Sequence, residues 1–238
     1  MGGLPRYVAT LAALATSVAL LMAGLVAIDG RASRLAVEAE ASELAGAPFH
    51  RQPGKDVVVI TGSSTVRLWH SSDRAFPQAQ VVNTGFGGST MEELRRHYEG
   101  LIARFDPDEV YIGSGDNDLA DGRSVAAVRD DTAAILASIR RDVPQATVAI
   151  IAAKPSVQRW YLRDRYEQLN GAFADLAAQD DRVVFVDVWT ELLNADGRIR
   201  PELYASDGLH LNRLGYQIYA AAIADTEQHK GTAADSTT

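Results

Sequence analysis

The sequence holds no cysteine. Disulfides, a thiolate nucleophile and cysteine-ligated zinc are therefore excluded, and thiol usage says nothing about the compartment in which the chain works. It also lacks any cluster of lysines and arginines, and its formal net charge is -8. A nucleic-acid partner, whose phosphates call for a basic face, does not fit that balance. There is no internal repeat and no Walker A lysine, so a P-loop nucleotide site is not expected. What remains is a chain of 238 residues, 47% hydrophobic and 23% charged, which is ordinary for one folded domain or two small ones.

The long apolar run lies at the N-terminus. Val8–Ile28 is 21 residues without a charge, and as a helix it would extend about 31 Å, close to the ~30 Å hydrocarbon thickness of a bilayer. A secretory signal has an apolar core of only about 7 to 15 residues, so the length favours a retained anchor, while cleavage after a small residue such as Ala32 stays open. Arg6 precedes the run and Arg31 and Arg34 come after it, so the basic residues do not settle which end is inside. Residues 1–30 are thus a transmembrane or signal segment. The remainder of the chain is expected outside the cytoplasm, either membrane-anchored or, if the segment is removed, secreted or periplasmic. Residues 31–54, rich in Ala and Glu and then broken by "FHRQPGKD", read as an exposed helix or stalk. Residues 227–238 have no apolar periodicity and read as a disordered tail.

Between these ends, residues 55–226 alternate two patterns. Short β-branched runs at Val57–Thr61, Gln80–Asn83, Glu109–Ile112, Thr147–Ala152 and Val183–Val188 are too apolar for strands with one wet face. Amphipathic segments lie between them. One is expected to start at a capping box of Ser89 and Glu92 and run to about Phe105; others cover Ser124–Asp142, Tyr161–Gln179 and a stretch opening near Asn212. Such alternation implies right-handed crossovers and a parallel sheet of about five strands under helices on both faces, a three-layer α/β/α fold.

In open parallel sheets, ligands bind beyond the carboxyl ends of the strands, where loops converge and helix N-termini aim their amides. Four loops there hold small polar residues: "GSST" after the first strand, "NTGFGGST" after the second, "GSGDNDLADG" after the third, and "SDGLHLN" before the last helix. Each alone has a bland reading. Gly-Ser-Ser is a turn or cap. The glycines from Gly85 fall short of a dinucleotide fingerprint, because Thr90 stands where glycine or alanine is needed. Asp116 and Asp118 suit a turn better than a hard-cation site, and Asp207 with His210 could be structural. Together they supply what acyl transfer needs: a serine at a strand-to-helix turn, a histidine base, an aspartate to orient it, and convergent amide donors.

In that order the blocks resemble the SGNH (GDSL-type) hydrolases over roughly Val57–Ala224. The resemblance implies a flavodoxin-like SGNH hydrolase fold and a serine esterase needing no metal or organic cofactor. It makes Ser64 of Gly62-Ser63-Ser64 the nucleophile and, from "DGLH", His210 the base and Asp207 its partner. The oxyanion hole falls to the backbone of Ser64 and Gly88 and to the side chain of Asn117, within Gly115-Asp116-Asn117-Asp118. One position departs: Ser63 stands where the family has aspartate, a carboxylate that braces the loop, so the rigidity of the turn is in question. The expected substrate is an acyl ester with a small acyl group, on a carbohydrate, an envelope component or a lipid. An acyltransferase with the same triad, or an anchored binding module with weak turnover, stands as the alternative. Of the aromatic residues near the predicted edge (Tyr111, Trp160, Tyr161 and Tyr204), Trp160 is the candidate for substrate contact, on a "KPSVQRW" rim after the fourth strand.

Overall fold

The computed structural model describes residues 33–235, with side chains through Thr226. The anchor or signal expected over residues 1–30 lies outside the described residues. Among the described residues, no helix is long and apolar enough to cross a membrane. Five strands form, β1 (Val57–Gly62), β2 (Gln80–Asn83), β3 (Glu109–Gly113), β4 (Thr147–Ile151) and β5 (Val183–Val186). All pair in parallel in the order β2-β1-β3-β4-β5. The chain thus moves outward from β1 to one edge and then, through β3, to the other. That reversal beside β1 is the switch point at which open α/β sheets bind ligands.

Helix α1 covers residues 33–46; α2 (Ser64–Arg67), α3 (Met91–Arg96), α4 (Tyr98–Leu101), α5 (Asp116–Ala120), α6 (Val125–Asp142), α7 (Arg163–Ala177) and α8 (Arg213–Asp235) come after it in chain order. Alternation along the strands builds two cores. Val58, Ile60, Tyr111, Ala149, Ile151 and Val186 share one apolar cluster with Trp69, Tyr219 and Ile223, the last two from α8. Their neighbours Val57, Val59, Val110, Ile112, Val148 and Ile150 point to the other face and are equally buried. Ile135 and Ile139 of α6 and Leu169 and Phe173 of α7 are buried as well. Each such side chain contributes on the order of 1.5–3 kcal/mol of transfer free energy. The result is the three-layer α/β/α architecture that the apolar runs predict.

Three details differ from expectation. The capping box is displaced by one residue: Thr90 accepts from the Glu93 backbone N–H, and Glu93 accepts from the Thr90 N–H. Ser89 is drawn away because its hydroxyl donates to Gly62 O at 3.2 Å. The helix it was expected to open is broken at His97 and again before the 3-10 turn Ala103–Phe105. The backbone of α8 continues to Asp235, so helix occupies most of the stretch read as a disordered tail. The larger of two compact units begins at Glu40. Arg104 donates to the carbonyls of Leu44 and Ala47, Arg51 pairs with Asp106 and Asp108, and Phe49 meets the Phe105 ring edge-on.

Candidate active site

The site starts from a close backbone approach. The β1–β3 register sets Gly62 against Gly113, and a Cβ on Gly62 would lie 2.1 Å from Gly113 O, at a φ of 142° that side chains rarely adopt. Only glycine fits both demands. Gly62→Ala is therefore expected to destabilise the domain by about 3 kcal/mol or more, read as a large fall in melting temperature; a melting curve unchanged from the parent would contradict this packing. Past Gly62, Ser63 is extended and its carbonyl accepts from the N–H groups of Val66 and Arg67, which turns the chain into α2 with Ser64 as first residue.

Ser64 Oγ lies 3.0 Å from His210 Nε2, and His210 Nδ1 lies 2.7 Å from Asp207 Oδ2. Since a carboxylate only accepts, Nδ1 is the donor to Asp207, and in the neutral imidazole the Nε2 lone pair faces the serine hydroxyl. The second Asp207 oxygen accepts from the backbone N–H groups of Leu209 and His210, at 2.9 and 3.0 Å. These bonds, the histidine's first, hold the Asp207 carboxyl down at about 2. The spacing of "DGLH" is thus a closed local loop, with Gly208 at a φ of 64° allowing the turn.

The other two blocks come after β2 and β3, the strands on either side of β1. Asn117 Nδ2 donates to Ser89 O at 2.9 Å, joining the third block to the second. Gly88, exposed and at a φ of 72°, comes directly after Gly87, whose N–H donates to Glu40 Oε2 at 2.9 Å. The same Glu40 carboxylate pairs with Arg67 of α2 at 2.8 Å. Among the described residues, the backbone N–H groups of Ser64 and Gly88 donate to no protein acceptor. The structure therefore brings Ser64, Gly88, Asn117, Asp207 and His210 to one sheet edge.

Ser63 finds its own partner. Its buried hydroxyl donates to Asp116 Oδ1 at 3.2 Å, and its N–H donates to Gly113 O at 3.0 Å. A carboxylate thus braces the turn after all, supplied from the third block instead of the first. Asp116 and Asp118, weighed as a cation site, are both engaged by donors. Asp116 Oδ2 takes Arg159, and buried Asp118 takes the Met91 N–H and Arg123. Among the described residues, no group of three or more potential ligands for a metal gathers.

The aromatic candidates separate. Tyr111 is in the core against Phe76, and buried Tyr204 donates to Pro155 O at 2.7 Å. Tyr161 is 77% exposed. Trp160 stacks on Trp189 at 5.9 Å, with the Arg163 guanidinium over its ring. Two residues of the same loop were not assigned roles from sequence. Arg159 touches Asp116 and Asn117. Buried Lys154 donates to Leu209 O at 2.7 Å, inside the histidine loop; burial pushes its ammonium pKa down, against the pull of Asp116 and Asp207. The available signal was their place in the chain, directly after β4 on the carboxyl edge.

The GDSL-like lipase/acylhydrolase family matches residues 59–218. Among solved structures, a Streptococcus pneumonia protein named for platelet activating factor is similar, at 21% identity and a TM-score of 0.75 over 86% of this chain and 98% of that one. A GDSL-like lipase from Bacteroides thetaiotaomicron has 19% identity and a TM-score of 0.66, over 83% and 98%. An acetylxylan esterase from Geobacillus stearothermophilus has 16% identity and a TM-score of 0.60, over 73% and 94%. No curated protein sequence matches. Two thirds of the chain, including every loop at this edge, falls within the family match, and the chain belongs to the GDSL-like lipase/acylhydrolase family of serine hydrolases that act on ester bonds.

Proposed function

We propose that the protein is a serine esterase in which Ser64, His210 and Asp207 form the catalytic triad. The observation that carries this reading is the continuous chain Ser64 Oγ–His210–Asp207, with contacts of 3.0 and 2.7 Å. Ser64 Oγ attacks the ester carbonyl and its proton passes to His210 Nε2, which returns it to the departing alcohol. Water then attacks the acyl-Ser64 carbon, gives its proton to His210, and releases the acid with Ser64 restored. The tetrahedral oxyanion accepts from the N–H groups of Ser64 and Gly88 and from Asn117 Nδ2. Needing no cofactor, this chemistry takes base, nucleophile and oxyanion donors from the chain and the electrophilic carbonyl from the substrate.

A small acyl group on a carbohydrate or envelope component is the proposed substrate, with Trp160 on the rim. Support for it is the likeness in fold to an acetylxylan esterase. The uncharged run Val8–Ile28 is the sole support for placing the domain outside the cytoplasm, anchored or released. Hydrolysis of short-chain nitrophenyl esters, with and without sugar acceptors, tests the function. Acid release that sugars leave unchanged is the expected result; acyl transfer to the sugar would make the protein a transferase, and inertness would overturn the enzymatic reading. Asn117→Ala is expected to lower kcat by about 100-fold or more at nearly constant KM. Unchanged turnover would remove Asn117 from the hole.

A further inference from the structure

We infer that Arg159 is a positioning residue for the oxyanion hole, acting through the side-chain amide of Asn117. The inference rests on the proposed role of Asn117 as a hole donor. Arg159 Nη1 donates to Asn117 Oδ1 at 3.0 Å and to Asp116 Oδ2 at 3.1 Å. On its other side, Asn117 Nδ2 donates to Ser89 O at 2.9 Å. These two partners fix the amide unambiguously. A guanidinium only donates and a carbonyl only accepts, so rotating the amide by half a turn would set NH2 against Arg159 and oxygen against oxygen at Ser89. The remaining Nδ2 hydrogen is thereby held in one direction.

Arg159 is itself held. Asp116 is 6% exposed and takes the guanidinium on one oxygen and the Ser63 hydroxyl on the other. The pair is therefore a bridge: one end reaches the residue before the nucleophile, the other the hole donor. The guanidinium also withdraws electron density through Asn117 Oδ1, which makes its N–H groups stronger donors. The residue before Arg159 is anchored as well: the Gln158 N–H donates to Gly208 O, two residues from His210. Loss of Arg159 frees the amide to rotate at the moment charge develops, and misplacement of that kind costs turnover more than binding.

The test is a double-mutant cycle in ester hydrolysis by the full chain. Arg159→Met is expected to lower kcat by about 10- to 100-fold with KM within about threefold, and Arg159→Lys to recover part of the loss. In an Asn117→Ala background, either substitution should change kcat by less than about threefold, because the group that Arg159 orients is gone. Equal losses in both backgrounds, or no loss in either, would overturn the inference. Should Arg159→Met not fold, as judged by its melting curve, the lysine variant alone supplies the cycle. Failure of the underlying reading looks different: Asn117→Ala itself would then retain full kcat.

Discussion

Replacing Ser64 with alanine should reduce kcat for a short-chain ester by a factor on the order of 10⁴ to 10⁶ while leaving the fold and KM nearly unchanged. The serine is the first residue of α2, half-buried, with its hydroxyl aimed at His210 Nε2. Among the described residues its hydroxyl bonds to His210 alone, so the loss falls on the covalent step. Ser63→Ala is the control that the sequence demands. Ser63 is 1% exposed and its hydroxyl is turned to Asp116, so it cannot present an oxygen to substrate. Its removal should cost about 1 kcal/mol of stability through the lost hydrogen bond and leave most of the turnover. Progress curves for both variants, with melting curves alongside, check the pair of expectations. A Ser63→Ala enzyme that is dead but folded would shift the nucleophile by one residue.

Asp207→Asn should cost about 10⁴-fold in kcat with little change in KM. An asparagine oxygen can still accept from the N–H groups of Leu209 and His210, so the loop keeps its shape. Its NH2 group, however, would face His210 Nδ1 and require that nitrogen to accept, which moves the imidazole proton to Nε2. The nitrogen that should take the serine proton is then already protonated. The same contacts set the pH dependence. The Asp207 carboxyl is held at about 2 against an ordinary value of 3.8. A depressed acid stabilises the folded state above its unfolded pKa, and this contribution is lost as pH falls from about 4 towards 2. The aspartate therefore stays ionised across neutral and mildly acidic assays. Asp207→Asn should remove this component of acid sensitivity from the melting temperature while abolishing turnover at pH 7.

The strands were readable because burial on both faces leaves an unbroken apolar run, as in Val57–Ile60, all of it buried. The proposed triad is legible in the sequence because its contacts are largely local: Asp207 and His210 meet within one turn, and Ser64 sits where β1 ends. What escaped depends on register and on long-range loops. The partner of Ser63 comes from the pairing of Gly62 with Gly113, which delivers the residues that come after β3 to the turn; no spacing in the sequence encodes that contact. Arg159 is 42 residues from Asn117 in the chain, and its role exists only once β4 lies beside β3. Thr90 displaced Ser89 as helix cap because the Ser89 hydroxyl was taken by Gly62 O. Glu40 lies in a stretch that composition marks as a stalk, yet its carboxylate holds the Gly87 N–H beside the proposed hole.

These contacts converge on one claim, that Ser64 is the residue acylated during turnover. A fluorophosphonate probe tests it directly, since it phosphonylates the serine whose proton a neighbouring base removes. Fragmentation of the labelled protein should place the adduct on Ser64, and Ser64→Ala should show no adduct at all. An adduct on Ser63, or labelling that survives Ser64→Ala, would contradict it.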